Sequence, residues 1–282
     1  MSRRYLVAHD GGERGTAALR LGAVLAASLG AELDVVLVVR SDDPFGQPYP
    51  PVGDVTGLVA EQARRWLDEA LAQLPAGVPA RGHLRTAASV PEGLLEAVEE
   101  LAAAAVVVGA TGGANPFGVG PVARALLHSS PVPVVLAPQD GAGPAAPGRL
   151  EHLYAAVGTR PGATAVLEEA AEAAERTGLP LHVVSLLEVD ARSGAEEPAL
   201  DRLREVVERT RLRLGDGLVS VELGKGRTMA EAVASIDWEP GGLLLVGSSR
   251  LARGRQTFLG PTAARMLRHV PVPVAVVPRG ER

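Results

Sequence analysis

Apolar residues fall along this chain in two alternating rhythms. Some runs are short and continuous, as at Tyr5–His9, Leu33–Val39 and Ala105–Gly109. Others place apolar positions three or four residues apart, the spacing of one helix face. In the first half the pattern predicts strands at Tyr5–His9, Leu33–Val39, near Gly82–Arg85 and at Ala105–Gly109. Helices are expected over about Thr16–Leu29, Val55–Gln73 and Pro91–Leu101, with a short one ending at His128. The half closes on PVPVVLAP, Pro131–Pro138. The second half repeats the order. Its strands are expected near Leu153–Val157, Leu181–Leu187, Val219–Leu223, Leu243–Val246 and Val272–Val277, with helices over Ala163–Arg176 and Ala199–Leu212. Continuous apolar strands alternating with helices predict an α/β fold whose parallel sheets are covered on both faces.

The closing strand is written twice, as PVPVVLAP and as PVPVAVVP at Pro271–Pro278. Pro131 and Pro133 remove N–H groups from one side of the strand, which suits a strand start or an edge. The valines between them are as apolar as a central strand, and an apolar edge needs cover. The matching strand of the other half, or of a second chain, is the expected cover. Gln139–Arg149, rich in Pro and Gly, reads as a linker, so the expected domains are residues 1–140 and 150–282.

Composition narrows the classes. The chain has 282 residues and no cysteine. Disulfide scaffolds and thiolate chemistry are therefore excluded, and a reducing compartment fits. The N-terminus does not read as a signal peptide and no apolar run approaches a membrane span, so a cytoplasmic location is expected. The formal charge is -5, which argues against general nucleic-acid binding. The six histidines, His9, His83, His128, His152, His182 and His269, show no metal-ligand spacing and read as strand or surface residues. Trp66 and Trp238 are expected to pack on helices. There is no P-loop and no nucleophile elbow, and no residue set for catalysis stands out.

Four stretches carry a resemblance. The first strand ends in Asp10-Gly11-Gly12, and a helix opens with Ser89-Val-Pro91-Glu92-Gly93. The fourth strands run into glycine loops, Val106-Val-Val-Gly109 and Leu244-Leu-Val-Gly247-Ser248, and both halves close on proline-valine strands. With these the chain resembles the universal stress protein family as a tandem of two domains. The resemblance implies two tandem doubly wound domains, each with five strands in the order 3-2-1-4-5 and helices on both faces. It also implies pairing through the fifth strands, as in a dimer, and in many members ATP held in the crevice at the carboxyl edge. The residues that would hold an adenine nucleotide are Asp10, Val38, Gly109, Gly112 and Gly120 in the first half, and Leu186, Gly247, Ser248, Arg250, Gly260 and Thr262 in the second. No other cofactor and no metal is expected.

The family's ATP signature is Gly-x2-Gly-x9-Gly followed by Ser or Thr, and neither half matches it in full. After Gly112 the first half reaches Gly120 two residues early; in the second, Arg250 occupies a glycine position. Pro121 and Pro261 follow the last glycines, where they supply neither hydroxyl nor N–H. Aligning Gly15 with Gly162 sets Val157 at the place of Asp10. The second loop is rich in arginine (Arg250, Arg253, Arg255, Arg265, Arg268), with Lys225 and Arg227 at the same edge, so phosphate is expected to favour the second half. Two function classes stay open: a nucleotide-responsive stress protein, and a tandem scaffold that acts by protein–protein interaction without nucleotide.

Overall fold

The computed structural model describes residues 3–41, 56–111, 118–138, 148–158, 164–188, 201, 204–205, 207–208, 210–211, 213–215, 217–248, 257 and 259–278. The first half runs β1 (Arg3–His9), α1 (Glu13–Leu29), β2 (Ala31–Arg40), α2 (Thr56–Ala72), β3 (Ala80–Ala87), α3 (Val90–Glu100), β4 (Ala105–Gly109), α4 (Pro121–Ser129) and β5 (Val134–Ala137). The second half follows with β6 (His152–Ala156), α5 (Thr164–Thr177) and β7 (Leu181–Glu188). The described residues between 201 and 214 are helical and form α6. Then come β8 (Val219–Gly226), α7 (Met229–Ala234), β9 (Gly242–Gly247), α8 (Pro261–Met266) and β10 (Val274–Val277).

Local chemistry sets several boundaries. α1 stops where Gly30 takes φ +65°, and the Gly30 N–H returns to Ala26 O. That left-handed stop favours glycine and frees the chain to enter β2 at once. α3 begins where the Ser89 side chain accepts from Glu92 N–H. α7 begins with a reciprocal cap: Thr228 accepts from Glu231 N–H, and the Glu231 carboxylate accepts from Arg227 N–H.

All ten strands join one sheet in the order β3-β2-β1-β4-β5-β10-β9-β6-β7-β8. Each half is thus a parallel 3-2-1-4-5 arrangement, and the halves meet where β5 and β10 pair antiparallel. Val134 faces Val276, Val135 faces Ala275, and Leu136 faces Val274. Val135 therefore meets its own counterpart in the repeat, which places a pseudo-twofold axis at that pair. The proline-bounded strands are covered by one another within a single chain. Pro133 and Pro273 sit just before their strands, where their carbonyls accept from Val106 and Leu244 N–H; only their missing donors shorten the ladder.

Two apolar layers cover the sheet, one on each face. Both run through the junction. Val135 and Ala275 belong to the layer with α1 and α5, while Val134, Leu136, Val274 and Val276 belong to the other. The crossing is braced at the surface as well. Arg3 pairs with Glu169 and Glu172 of α5, and Ser28 Oγ accepts from Leu150 N–H.

Candidate functional site

In an open parallel sheet the strand order reverses where successive crossovers leave on opposite sides, and a crevice opens at the carboxyl ends of those strands. Here that place lies between β1 and β4 in the first half and between β6 and β9 in the second.

The first-half edge is built around the turn after β1. Asp10 Oδ1 accepts from Gly12 and Gly15 N–H, each at 3.0 Å, and so caps the opening turn of α1. Its Oδ2 holds Arg14 at 3.0–3.1 Å, and the carboxylate is 41% exposed. Gly11 takes φ +75°, and a methyl group there would sit 2.5 Å from Trp66 Cδ2, so the indole of α2 lies flat on this turn. Gly109 is glycine because α1 packs its Arg14 carbonyl against that Cα. Val38, near the end of β2, is covered by α3: a Cβ on Gly93 would meet it at 2.8 Å. Gly120 caps α4, and Thr111 N–H donates to Gly118 O at 2.7 Å across the base of the loop. Gly112 lies outside the described residues.

Beside α4, next to Gly120, is a cavity of about 360 Å³ lined by Val119, Pro121, Arg124, Ala125 and His128. Arg124 and His128 stand one helical turn apart on that face. Neither residue was among those expected to bind, the loop before Gly120 being uncharged. Their i, i+4 spacing on the helix that follows was the available signal.

The second-half edge differs. Ladder register sets Tyr154 at the place of Leu6: Leu6 faces Asp34 and Val106, and Tyr154 faces His182 and Leu244. Val157 therefore matches His9, and Gly158 matches Asp10. This corrects the alignment on Gly15 and Gly162 by one residue; the position holds glycine, not valine. Leu186 does match Val38, and Gly247 does match Gly109. Ser248 N–H donates to Val277 O, closing β9 onto β10. Gly260 caps α8, and Thr262 is exposed in its first turn.

The arginine surround is also reduced. Arg265 forks onto Glu188 with bonds of 2.7 and 2.9 Å, and Arg227 pairs with Glu231. Arg250, Arg253 and Arg255 lie outside the described residues. Glu188 offsets part of the positive charge that Arg265 brings to this edge.

One residue of the second loop crosses to the other half. Thr257 is fully buried; its N–H donates to Ser130 O at 2.8 Å, and its hydroxyl donates to Leu126 O at 2.9 Å. Leu126 lies in the last turn of α4, where its carbonyl also accepts from Ser130 N–H, and Ser130 is the residue that ends the helix. The segment leading into Gly260 is thus fixed to α4, the helix that lines the first-half cavity.

No group of three or more His, Cys, Asp or Glu that could hold a metal ion occurs among the described residues. No helix among them is long and apolar enough to cross a membrane.

One protein family matches both halves of the chain. The model of the universal stress protein family matches residues 1–138 and again residues 150–278. A universal stress protein of Mycobacterium tuberculosis is 29% identical over 298 aligned residues, spanning 97% of this chain and 99% of that protein. The crystal structure of a universal stress protein from Archaeoglobus fulgidus covers 99% of this chain and 100% of its own, with a TM-score of 0.70 at 20% identity. A putative universal stress protein from Pseudomonas aeruginosa gives 0.60 at 16% identity, over 98% of this chain and 93% of its own. At those identities the two structures speak for the fold.

Proposed function

Since the chain belongs to the universal stress protein family, with two tandem domains, we propose that it binds an adenine nucleotide such as ATP at the carboxyl edge of its first half and acts in stress regulation by that binding rather than by catalysis. The observation that carries this is the cavity beside Gly120, where Arg124 and His128 face a space on the helix that follows the glycine loop. Cations there suit phosphate. Asp10 and Val38 end the neighbouring strands and supply the nucleoside side. The Asp10–Arg14 pair is solvent-exposed, and such pairs stabilise little, so a ribose hydroxyl can take the place of one guanidinium bond at small cost. The same nucleotide is less favoured in the second half, where Gly158 replaces Asp10 and Arg265 is tied to Glu188.

The test is mass analysis of small molecules released from the purified, denatured protein, followed by calorimetric titration of the full chain with ATP. Co-purified adenine nucleotide or saturable heat supports the proposal; neither would overturn it.

A second function is favoured by one observation: every strong bond of Asp10 is already made within its own turn. The chain then acts as a tandem scaffold, its two halves fused across β5 and β10, and docks on a protein partner without nucleotide. The absence of both released nucleotide and ATP heat is the outcome that function requires.

A further inference from the structure

At the amino edge of the sheet, the same strand positions carry different chemistry in the two halves. Register sets Arg4, Asp34, Arg81 and His83 of the first half at the places of His152, His182, Ser220 and Glu222 of the second. In the first half Arg4 forks onto Asp34 with bonds of 2.7 and 2.6 Å, and His83 Nε2 lies 2.8 Å from the same carboxylate. Asp34 is buried, and the forked Arg4 guanidinium pairs its charge.

In the second half the middle position is a histidine bonded to another histidine. His152 Nδ1 and His182 Nε2 are 3.0 Å apart, and His182 Nδ1 is 2.7 Å from Ser220 Oγ. Tyr154 of β6 stacks on the His182 ring, with centroids 4.7 Å apart. The Tyr154 hydroxyl in turn donates to Asp237 O at 3.2 Å and accepts from Glu239 N–H at 2.8 Å. Trp238 packs on Tyr154 at 4.9 Å and donates to Val233 O, so the segment after α7 rests on the histidine pair through one aromatic ring. Trp238 thus packs on Tyr154 as well as on α7, a helix contact of the kind expected for it.

A hydrogen bond between two imidazole nitrogens needs one donor and one acceptor. Either ring can be charged while the bond stands, but not both. We propose that the His152–His182 pair is a pH-responsive joint of the second domain: it holds at most one added proton while intact, and a second proton separates the rings and loosens the Tyr154–Trp238 segment above them. The groups facing the pair are Ser220 and Glu222 of β8, Tyr154 of β6, and Asp237 and Glu239 of the segment after α7. Glu222 lies 3.9 Å from His182 Nδ1, a partner for the imidazolium once the rings part. Burial first, and then the charge of His152, push His182 below the ordinary histidine range, while Glu239 opposes them. A lowered folded-state value means that the stability is present above the unfolded histidine value of about 6.5 and is lost as pH falls below it. In the matched first-half cluster the central group is instead a carboxylate, forked by Arg4 and bonded to His83.

Trp238 reports on the joint. The chain has two tryptophans, so Trp66→Phe leaves Trp238 as the single fluorophore. In that variant, taken as the full chain from pH 8 to pH 5, Trp238 emission is expected to follow a reversible transition below about pH 6.5. His182→Gln, and separately His152→Gln, should abolish it while far-ultraviolet dichroism stays unchanged. Proton NMR should show His182 titrating below the ordinary histidine range. The proposal is overturned by flat Trp238 emission across the range, by a transition that survives in both glutamine variants, or by both histidines titrating together near their free value.

Discussion

The two halves share one sheet-and-helix frame, and the polar groups they carry differ most near the strand ends. β1 and β6 share the register of their neighbours, yet Asp10 follows β1 where Gly158 follows β6. At the opposite edge an Arg–Asp–His cluster matches a His–His–Glu one. The physical cause is location. A core position must fill a fixed volume and offers few substitutes. A side chain near a strand end leaves the ladder intact whatever its chemistry, and Asp10 is exposed besides. The fold thus keeps one frame and leaves two chemistries free to diverge on it.

The most severe challenge to that symmetry lies on its axis. Val135 and Ala275 face each other and are both buried. Val135→Asp would put an uncompensated charge there, at a cost on the order of 3–5 kcal/mol. Chemical denaturation should show a large drop in midpoint, with both halves affected together. Two separate transitions, with one half untouched, would mean that the junction is not shared.

A smaller effect separates the amino edges. Asp34→Asn removes the buried carboxylate from Arg4 and His83, and about 2–3 kcal/mol should be lost at pH 8 and at least as much at pH 5.5, since a protonated imidazole is also held by that carboxylate. His182→Gln should cost less and only above the histidine range, because the wild-type pair is already weakened at low pH. Equal pH profiles for the two variants, read from urea midpoints, would erase the distinction.

At the carboxyl edge, Asp10→Ala tests whether the first half alone holds the nucleotide. Loss of a bond to a charged group is worth about 1.5–3 kcal/mol, so ATP affinity should fall about tenfold or more by calorimetry. Gly158→Ala in the second half should leave that affinity unchanged. A matching loss in both variants would move the site.

The mildest change concerns the one described tether of the second loop onto α4. Thr257→Val removes the hydroxyl bond to Leu126 O but keeps the backbone bond to Ser130 O. Leu126 O still accepts from Ser130 N–H, so the penalty should be only about 1 kcal/mol in thermal unfolding. No measurable change would demote the tether to a packing contact.

Much of this architecture could be read from residue order. Each strand and helix named from periodicity is present, with ends shifted by a few residues. β1 begins at Arg3 because Arg3 and Arg4 still pair with Ala31 and Glu32. α1 begins at Glu13 because Asp10 reaches forward to cap it. These are local effects, and spacing alone blurs them. The candidate site was less legible. The one-residue error at Val157 arose because a shared glycine was aligned where only the ladder fixes register, and a slip of one moves every side chain to the other face.

Periodicity, turn residues and the doubled proline strand were enough to specify two doubly wound halves, since hydrophobic spacing and backbone limits act between near neighbours in the chain. The antiparallel seam, the Thr257 tether, the cations of α4 beside Gly120 and the meeting of His152 with His182 came from the assembled sheet. They join residues far apart in sequence, and parallel strands separated by whole helices bring such residues within 3 Å. No spacing rule spans a crossover of variable length, and for that reason the pairing of two scattered histidines became visible only once the strands lay side by side.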